Sequence, residues 1–339
     1  MEHLVGLQAQ APAPPYFGLW TRLHGFHHVH LSDLIARRRV VRLALMRSTI
    51  HLVTARDALR LRPVVQPVIV RGAHGSYGRR LAGLDLDALA AAARALVEEH
   101  PRTYSDIGAT LATRWPERDP AALASAARAL VPLVQVPPRG LWGVPGQAAH
   151  TTLEAWLGRR PAGRVAPSRL VRRYLAAFGP ASVRDAQAWS GLTRLRDVFE
   201  RLRSALRVFR AESGEELFDL PDAPRPAADA DAAPRFLPEF DNVLLAYVDR
   251  SRMIDTRWRE AVFNGGMIRS TVAIDGFVHG TWALRRRGRT MTLSIDLFAP
   301  LRAEARAAMM QEGDRLLAFA VPDGMRRDIA VRVAGRSTR

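Results

Sequence analysis

The sequence predicts an α+β protein built from tandem winged-helix (helix-turn-helix) domains followed by a small C-terminal β-barrel. Three observations predict this. A pattern of three short amphipathic helices followed by a two-stranded hairpin occurs twice, with matched helix caps. A stretch rich in Pro, Ala and Asp, residues 222–234, then interrupts the pattern as a linker. Beyond it the periodicity changes to short strands punctuated by glycine turns.

Residues 1–80 read as an N-terminal winged helix, truncated at its front, with a connector. LSDLIARR is a helix, and VVRLALMR and STIHLVT form a wing that bends near Arg47 and Ser48. PVVQPVIVRGAHGSYGRRL follows as an irregular connector. Residues 81–160 form the second copy. DLDALAAAARALVEEH places Leu86, Leu89, Leu96 and Val97 at helical spacing. TYSDIGATLATRW is a short helix capped by Thr103, with Asp106 three residues on as an acidic capping box. DPAALASAARALVPL is the third helix, and LVQVPPRGLWGV and QAAHTTL are the strands of its wing.

Residues 161–221 repeat the order. PSRLVRRYLAAF is a helix, ASVRDAQAWSGL is capped by Ser182 with Asp185 at the same offset, and RLRDVFERLRSAL is the third helix. LRVFRAESGEELFDL is a hairpin turning at Ser213-Gly214. Residues 235–339 hold RFLPEF, NVLLAYV, MIRSTVAID, FVHGTWALR, TMTLSID and LLAFAV as strands of the barrel, with APLRAEARAAMMQEG as an interrupting helix. ALRRRGRTMTL is a hairpin with Arg285, Arg286, Arg287 and Arg289 at its tip.

Composition narrows the function. A chain of 339 residues is long enough for several domains with real cores. There is no cysteine, which excludes disulfides, thiolate nucleophiles and cysteine-ligated metal clusters. All 50 basic side chains are arginine, so no lysine can form a Schiff base. The net charge of +17 calls for a polyanionic partner, and nucleic acid is the commonest. No run of about eighteen apolar residues is present, and no signal peptide is read. The expectation is a cytoplasmic, nucleoid-associated protein with no membrane partner.

Four groups of residues carry candidate chemistry. Gln8 and Gln10 alternate ahead of APAPP; on a strand both amides share a face and can line one cavity. Taken by spacing alone, a capping or solvent-facing pair is the favoured reading. HGFHHVH supplies His24, His27, His28 and His30, but no carboxylate or cysteine spacing completes a metal site, and no metal is expected. In PEFDN, Glu239 and Asp241 read either as an acid–base pair or as a turn in which Asp241 and Asn242 bond to backbone. Asp241 and Asn242 are also candidates for lining a channel. Arg47, Thr49 and His51 occupy alternate positions, and so one strand face, as contacts to phosphate or base, or as a wing surface without chemistry.

Four stretches, LVGLQAQAPAPPYFGLW, LMRSTIHLVTA, LVQVPPRGLWG and FLPEFDNVLLAYVDRSRMI, resemble the winged-helix DNA glycosylases of the AlkZ-like family. The resemblance runs from about residue 4 to about residue 330. The family's motif is two glutamines flanking one residue, usually apolar, and Gln8 and Gln10 flank Ala9. The resemblance implies three tandem winged helices and a C-terminal barrel whose basic concave face holds duplex DNA. It also implies removal of alkylated purines, including unhooking of interstrand crosslinks. Family members carry helices upstream of the motif; their lack here reads either as a start codon placed too late, the simpler account, or as a genuinely reduced first domain.

Amides suit that chemistry. An N7- or N3-alkylpurine is already cationic, so its departure needs no strong general acid. What helps is an oriented water and carbonyl oxygens facing the sugar cation, worth on the order of 2–4 kcal/mol per group. Gln8 and Gln10 are the expected catalytic pair, in a monofunctional, cofactor-free, monomeric enzyme acting on double-stranded DNA. Arg285, Arg286, Arg287 and Arg289 are the first expected DNA contacts, and Arg47, Arg79 and Arg80 the next; Arg37, Arg38 and Arg39 read as a solvated helix end. The rival expectation is a non-catalytic winged-helix regulator or damage binder. A regulator normally dimerises on a palindrome, whereas three such domains in one chain favour a monomer.

Overall fold

The protein is described from a computed structural model covering residues 1–163, 165–227 and 229–334. The chain divides into two units, residues 1–13 with 29–223, and residues 14–28 with 224–339.

The first unit is organised on one antiparallel sheet. Its six strands run in the order Leu7–Gln8, Ile50–Thr54, Val40–Ala44, Leu133–Gln135, Ala149–Thr152, Arg102–Thr103. The hairpin near the start and the hairpin near residue 140 therefore share a sheet, joined where Arg42 faces Gln135 and Leu43 faces Val134. The helix His28–Ala36 leads into the first hairpin.

The segment expected to be an irregular connector, residues 63–81, instead ends the helix Ala55–Val64 and forms the helix Gln66–Tyr77. Its prolines misled because of where they fall. Pro67 occupies the first turn, where the missing N–H costs nothing, and Pro63 is one residue from its helix end. Thr54 caps the first of these helices by accepting from the Asp57 amide.

The helices Leu86–Glu99, Tyr104–Arg114 and Pro120–Leu130 pack around Leu89, Val97, Ile107, Leu111 and Leu123. Each such side chain contributes roughly 1.5–3 kcal/mol through burial. The expected capping box is formed: Thr103 Oγ1 accepts from the Asp106 amide, and the Asp106 carboxylate accepts from the Thr103 amide at 3.2 Å. Ser182 and Asp185 repeat it at the start of Val183–Ser190. That helix lies between Pro167–Phe178 and Arg196–Leu202, followed by the hairpin Arg207–Arg210 and Glu216–Asp219. Tyr174, Phe178 and Trp189 cluster at one side of this core, and Phe199 meets Phe218 edge-on.

The second unit does not form the expected barrel. Its sheet is open, with five strands ordered Arg326–Val333, Thr290–Leu297, Phe277–Arg287, Thr271–Ile274, Arg235–Leu237. The helix Ala303–Ala320 covers one face, so apolar surface is buried without closure. Gly313 makes this possible: a Cβ there would meet Ile329 and Leu293 at 3.1 Å. LLAFAV, expected as a strand, mostly continues this helix, and NVLLAYV opens as the short helix Asn242–Leu245 under an Asp241 cap. The prolines of APAPP start the helix Pro14–Trp20, whose Phe17 packs edge-on against Trp282 and Phe319. Among the described residues, no helix is long and apolar enough to cross a membrane.

Candidate active site

The Gln-Ala-Gln segment is held through its backbone from Leu7 to Ala9. Gly6 enters it at φ +99°, with room for no side chain, since a Cβ would lie 2.5 Å from Val53 Cγ1. Leu7 and Gln8 then pair antiparallel with Leu52 and His51. The Ala9 amide donates to the Ile50 carbonyl at 2.7 Å. The Ala9 carbonyl accepts from Arg42 Nη2 at 2.6 Å. Arg42 is itself only 2 % exposed, and its Nε donates to Gln135 Oε1 at 3.1 Å. Gly140, at φ +101°, leaves space for Arg42: a Cβ there would sit 2.6 Å from Arg42 Cδ.

Both glutamine carbonyls accept from groups that can only donate. Gln8 Oε1 takes a hydrogen bond from Arg47 Nη2 at 2.7 Å, and Gln10 Oε1 takes one from the Ile50 amide at 2.8 Å. These partners fix which end of each amide is oxygen, so the NH2 groups point the other way as donors. Gln8 is buried, whereas Gln10 is exposed at the wall of a cavity of about 780 Å³.

Arg47 sits in a tight loop between the strands Val40–Ala44 and Ile50–Thr54. Arg47 and Ser48 both adopt left-handed backbone, at φ 54° and 59°. Each costs roughly 1–2 kcal/mol for a residue with a side chain. The loop is held by its surroundings. Arg47 also donates to the Trp189 carbonyl, Arg128 donates to the Ser48 carbonyl, and Arg71 donates to the Gly191 carbonyl. Gly191 abuts the loop so closely that a Cβ would lie 3.1 Å from the Arg47 nitrogen. Burial pushes the Arg47 pKa down to about 10.

His51 lies opposite Gln8 in the strand pair and is 3 % exposed. Burial, then the Arg47 charge, pushes its pKa down to about 3. Its Nδ1 is 3.0 Å from the Thr49 carbonyl and so carries the proton. The ring is neutral at physiological pH and gives no general acid. Thr49 Oγ1 donates to the Met46 carbonyl at 3.1 Å and closes the loop.

The structure thus brings Gln8, Gln10, Arg47, Thr49 and His51 together. The remaining candidates lie elsewhere. Arg79 is exposed in the turn Gly78–Leu81, and Arg80 pairs with Asp119, with its guanidinium over the Tyr77 ring. In the second unit, Asp241 and Asn242 are buried. Both Asp241 oxygens accept from Arg22, at 2.7 and 2.8 Å, and one also caps the next helix through the Val243 amide. This is the backbone-bonding alternative for PEFDN, reinforced by an ion pair. Arg285, Arg286, Arg287 and Arg289 stand exposed around a hairpin turn at Gly288, with Arg289 Nη2 donating to the Gly324 carbonyl. His24, His27, His28 and His30 are exposed, and among the described residues no group of three potential ligands is poised to hold a metal.

Sequence reasoning missed Arg42, Gln135, Arg128 and Tyr104. Arg42 had a visible signal: a cation inside the apolar run VVRLA, where the strand is buried at every position. The others have no local signal, because their partners are more than 20 residues away.

The family model of AlkZ-like DNA glycosylases matches residues 1–319. No curated protein sequence matches the chain. Among solved structures, the chain is similar to the Streptomyces sahachiroi DNA glycosylase AlkZ, with a TM-score of 0.75 and 19% identity. That alignment covers 98% of this chain and 92% of the other, and at this identity it speaks for the fold. The family match covers nearly the whole chain, glutamine motif included, and the chain belongs to the AlkZ-like DNA glycosylase family, hydrolases that act on DNA.

Proposed function

We propose that the protein is a monofunctional glycosylase that hydrolyses the N-glycosidic bond of cationic alkylated purines, N7-alkylguanines and interstrand crosslinks among them, with Gln8 and Gln10 at the reaction centre. The observation that carries this reading is the backbone clamp on Ala9, which holds two amides of fixed orientation, that of Gln10 at the wall of a cavity. Preorganised dipoles are what an oxocarbenium-like transition state requires, because they need not reorganise as charge develops.

The two amides differ. The Gln8 carbonyl faces a guanidinium, which draws electron density away from the sugar side. The Gln10 carbonyl faces a neutral amide and keeps a second lone pair for the water or the sugar cation. Gln10 therefore takes the larger share of the charge stabilisation, and Gln8 orients the water through its NH2 group. With no lysine to form a Schiff base, the product is an abasic site in an uncut strand.

In this reading residues 1–80, 81–160 and 161–221 act as winged helices on duplex DNA, followed by the linker 222–234 and the domain 235–339. One chain binds one duplex. Arg285, Arg286, Arg287 and Arg289 grip the backbone or probe a groove, and affinity falls steeply with salt.

The test is base release from duplex DNA carrying N7-methylguanine. Wild type releases the base without nicking the strand. Gln10→Ala slows release on the order of 100-fold and Gln8→Ala less, with affinity for undamaged duplex unchanged. A wild type that binds duplex DNA yet releases no base from either methylated or crosslinked substrate is a damage binder, and the glycosylase reading fails.

A further inference from the structure

The cavity beside Gln10 has a chemical polarity of its own. It lies between the sheet and the helices Tyr104–Arg114 and Pro120–Leu130, with a volume of about 780 Å³. Cavities of roughly 300–1,000 Å³ hold drug-sized molecules. A methyl group on a purine occupies a small fraction of such a space.

The lining is biased toward hydrogen-bond donors. Gln10 and Gln135 both line it, and one fixed donor to each carbonyl oxygen, the Ile50 amide and Arg42 Nε, sets the orientation of both amides. Each therefore keeps its NH2 group for another partner. Arg128 lines it too, with five N–H donors of which one goes to the Ser48 carbonyl. Tyr104 is stacked on His150 at 3.9 Å, and its hydroxyl carries a proton that it can give. Burial raises its pKa to about 12, so that proton is retained. The single carboxylate of the lining, Asp119, is taken by Arg80 and by capping its helix through the Ala121 amide.

Charge points the same way. Arg62 lies near Arg128, and burial pushes its pKa down to about 10, with the Arg128 charge adding to the shift. A cationic group is disfavoured against such a wall, and an oxygen-bearing neutral or anionic group is favoured. The cationic purine ring is thus a poor occupant, whereas a substituent attached to it, or a phosphate beside it, is a good one.

We propose that this cavity is a subsite for a hydrogen-bond-accepting, oxygen-rich group of the substrate, carried on the alkylated base or supplied by a DNA phosphate. Its position beside the reacting bond rests on the proposed role of Gln10; its donor character does not.

The experiment compares duplexes carrying N7-(2-carboxyethyl)guanine, N7-isopentylguanine, which matches it in size without oxygen, and N7-methylguanine, together with undamaged duplex. Both dissociation constants and single-turnover release rates are measured for wild type, Gln135→Glu and Ser125→Phe. Gln135→Glu keeps an oxygen facing Arg42 but replaces the donor with an acceptor. Ser125→Phe fills the space from the helix Pro120–Leu130.

If the group is carried on the base, wild type favours carboxyethyl over isopentyl at least tenfold in affinity or rate. Gln135→Glu then abolishes that preference, and Ser125→Phe impairs both bulky adducts more than the methylated one. If the group is a phosphate, wild type shows no preference, and both variants lose about tenfold in affinity for undamaged duplex with a salt slope smaller by about one. No preference together with unchanged duplex affinity in both variants overturns the subsite. Release of no base by wild type would fail the glycosylase reading alone, because the affinity comparisons still decide the subsite.

Discussion

Arg47 invites the most informative substitution, because its guanidinium is held on two protein carbonyls. Its guanidinium joins the Gln8 carbonyl to the Trp189 carbonyl, in a loop that pays for two left-handed residues. Arg47→Ala removes two charge-assisted hydrogen bonds, each worth roughly 1.5–3 kcal/mol. It also removes a half-buried cation that has no carboxylate partner among the described residues, and that relief offsets part of the loss. The net effect on folding is then modest, on the order of 1–2 kcal/mol. The effect on the reaction is larger, because the Gln8 amide loses the donor that fixes its orientation. Losing about 2–3 kcal/mol of preorganisation slows base release about 30- to 150-fold.

The assay is single-turnover release of N7-methylguanine at saturating enzyme, with duplex affinity measured alongside. Added ethylguanidinium at millimolar concentration recovers part of the rate of Arg47→Ala by occupying the vacated space. Arg47→Lys does not restore the rate, since one ammonium cannot span both carbonyls with a planar fork. An unchanged rate at saturation, with weaker duplex binding and a salt slope smaller by about one, would make Arg47 a phosphate ligand and refute the positioning role.

The remaining predictions concern stability. His51 and His150 are buried and neutral, with pKa values pushed down to about 3 and about 4, whereas in an unfolded chain each titrates near 6.5. Their contribution is fully present above about pH 6.5 and is lost as pH falls through that value toward the folded pKa values, because the unfolded chain binds more protons. Each histidine adds a slope of about 1.4 kcal/mol per pH unit near pH 5, and His51→Gln should remove one such slope from urea-denaturation midpoints; an unchanged slope contradicts the assignment. Asp241→Asn keeps the cap on Asn242–Leu245 but breaks the bidentate pair with half-buried Arg22. A loss of roughly 2–3 kcal/mol and a lower thermal midpoint are expected, and in a double-mutant cycle with Arg22→Ala the two losses do not add.

Legibility in the sequence followed the range of the interactions. Thr103 with Asp106, and Ser182 with Asp185, form their caps within four residues, and both are readable in one dimension. LLAFAV and NVLLAYV are apolar runs whose type depends on what precedes them: a long helix already under way in one case, the Asp241 cap in the other. The expectation of a closed barrel failed because strand count says nothing of a helix that takes over one face. At the candidate site the glutamines stand out in sequence, but their supports do not. Arg42, Gln135, Gly140 and Gly191 reach the motif or its loop only through the fold, and of the four only Arg42, a cation in an apolar run, is marked by its neighbourhood.

The chain leaves the first unit after residue 13, three residues past Gln10, and returns to it at residue 29, having given residues 14–28 to the second. This has a consequence for biosynthesis. Phe17, Trp20 and Phe26 emerge from the ribosome early, but Phe319, against which all three rings pack, emerges some 290 residues later. At 5–20 residues per second the delay is about 15–60 s, during which this aromatic segment has no native neighbours. A nascent chain arrested near residue 223 would carry it uncovered beside a nearly finished glutamine motif. Chaperone occupancy during synthesis should therefore peak over this stretch and vanish only with the last helix.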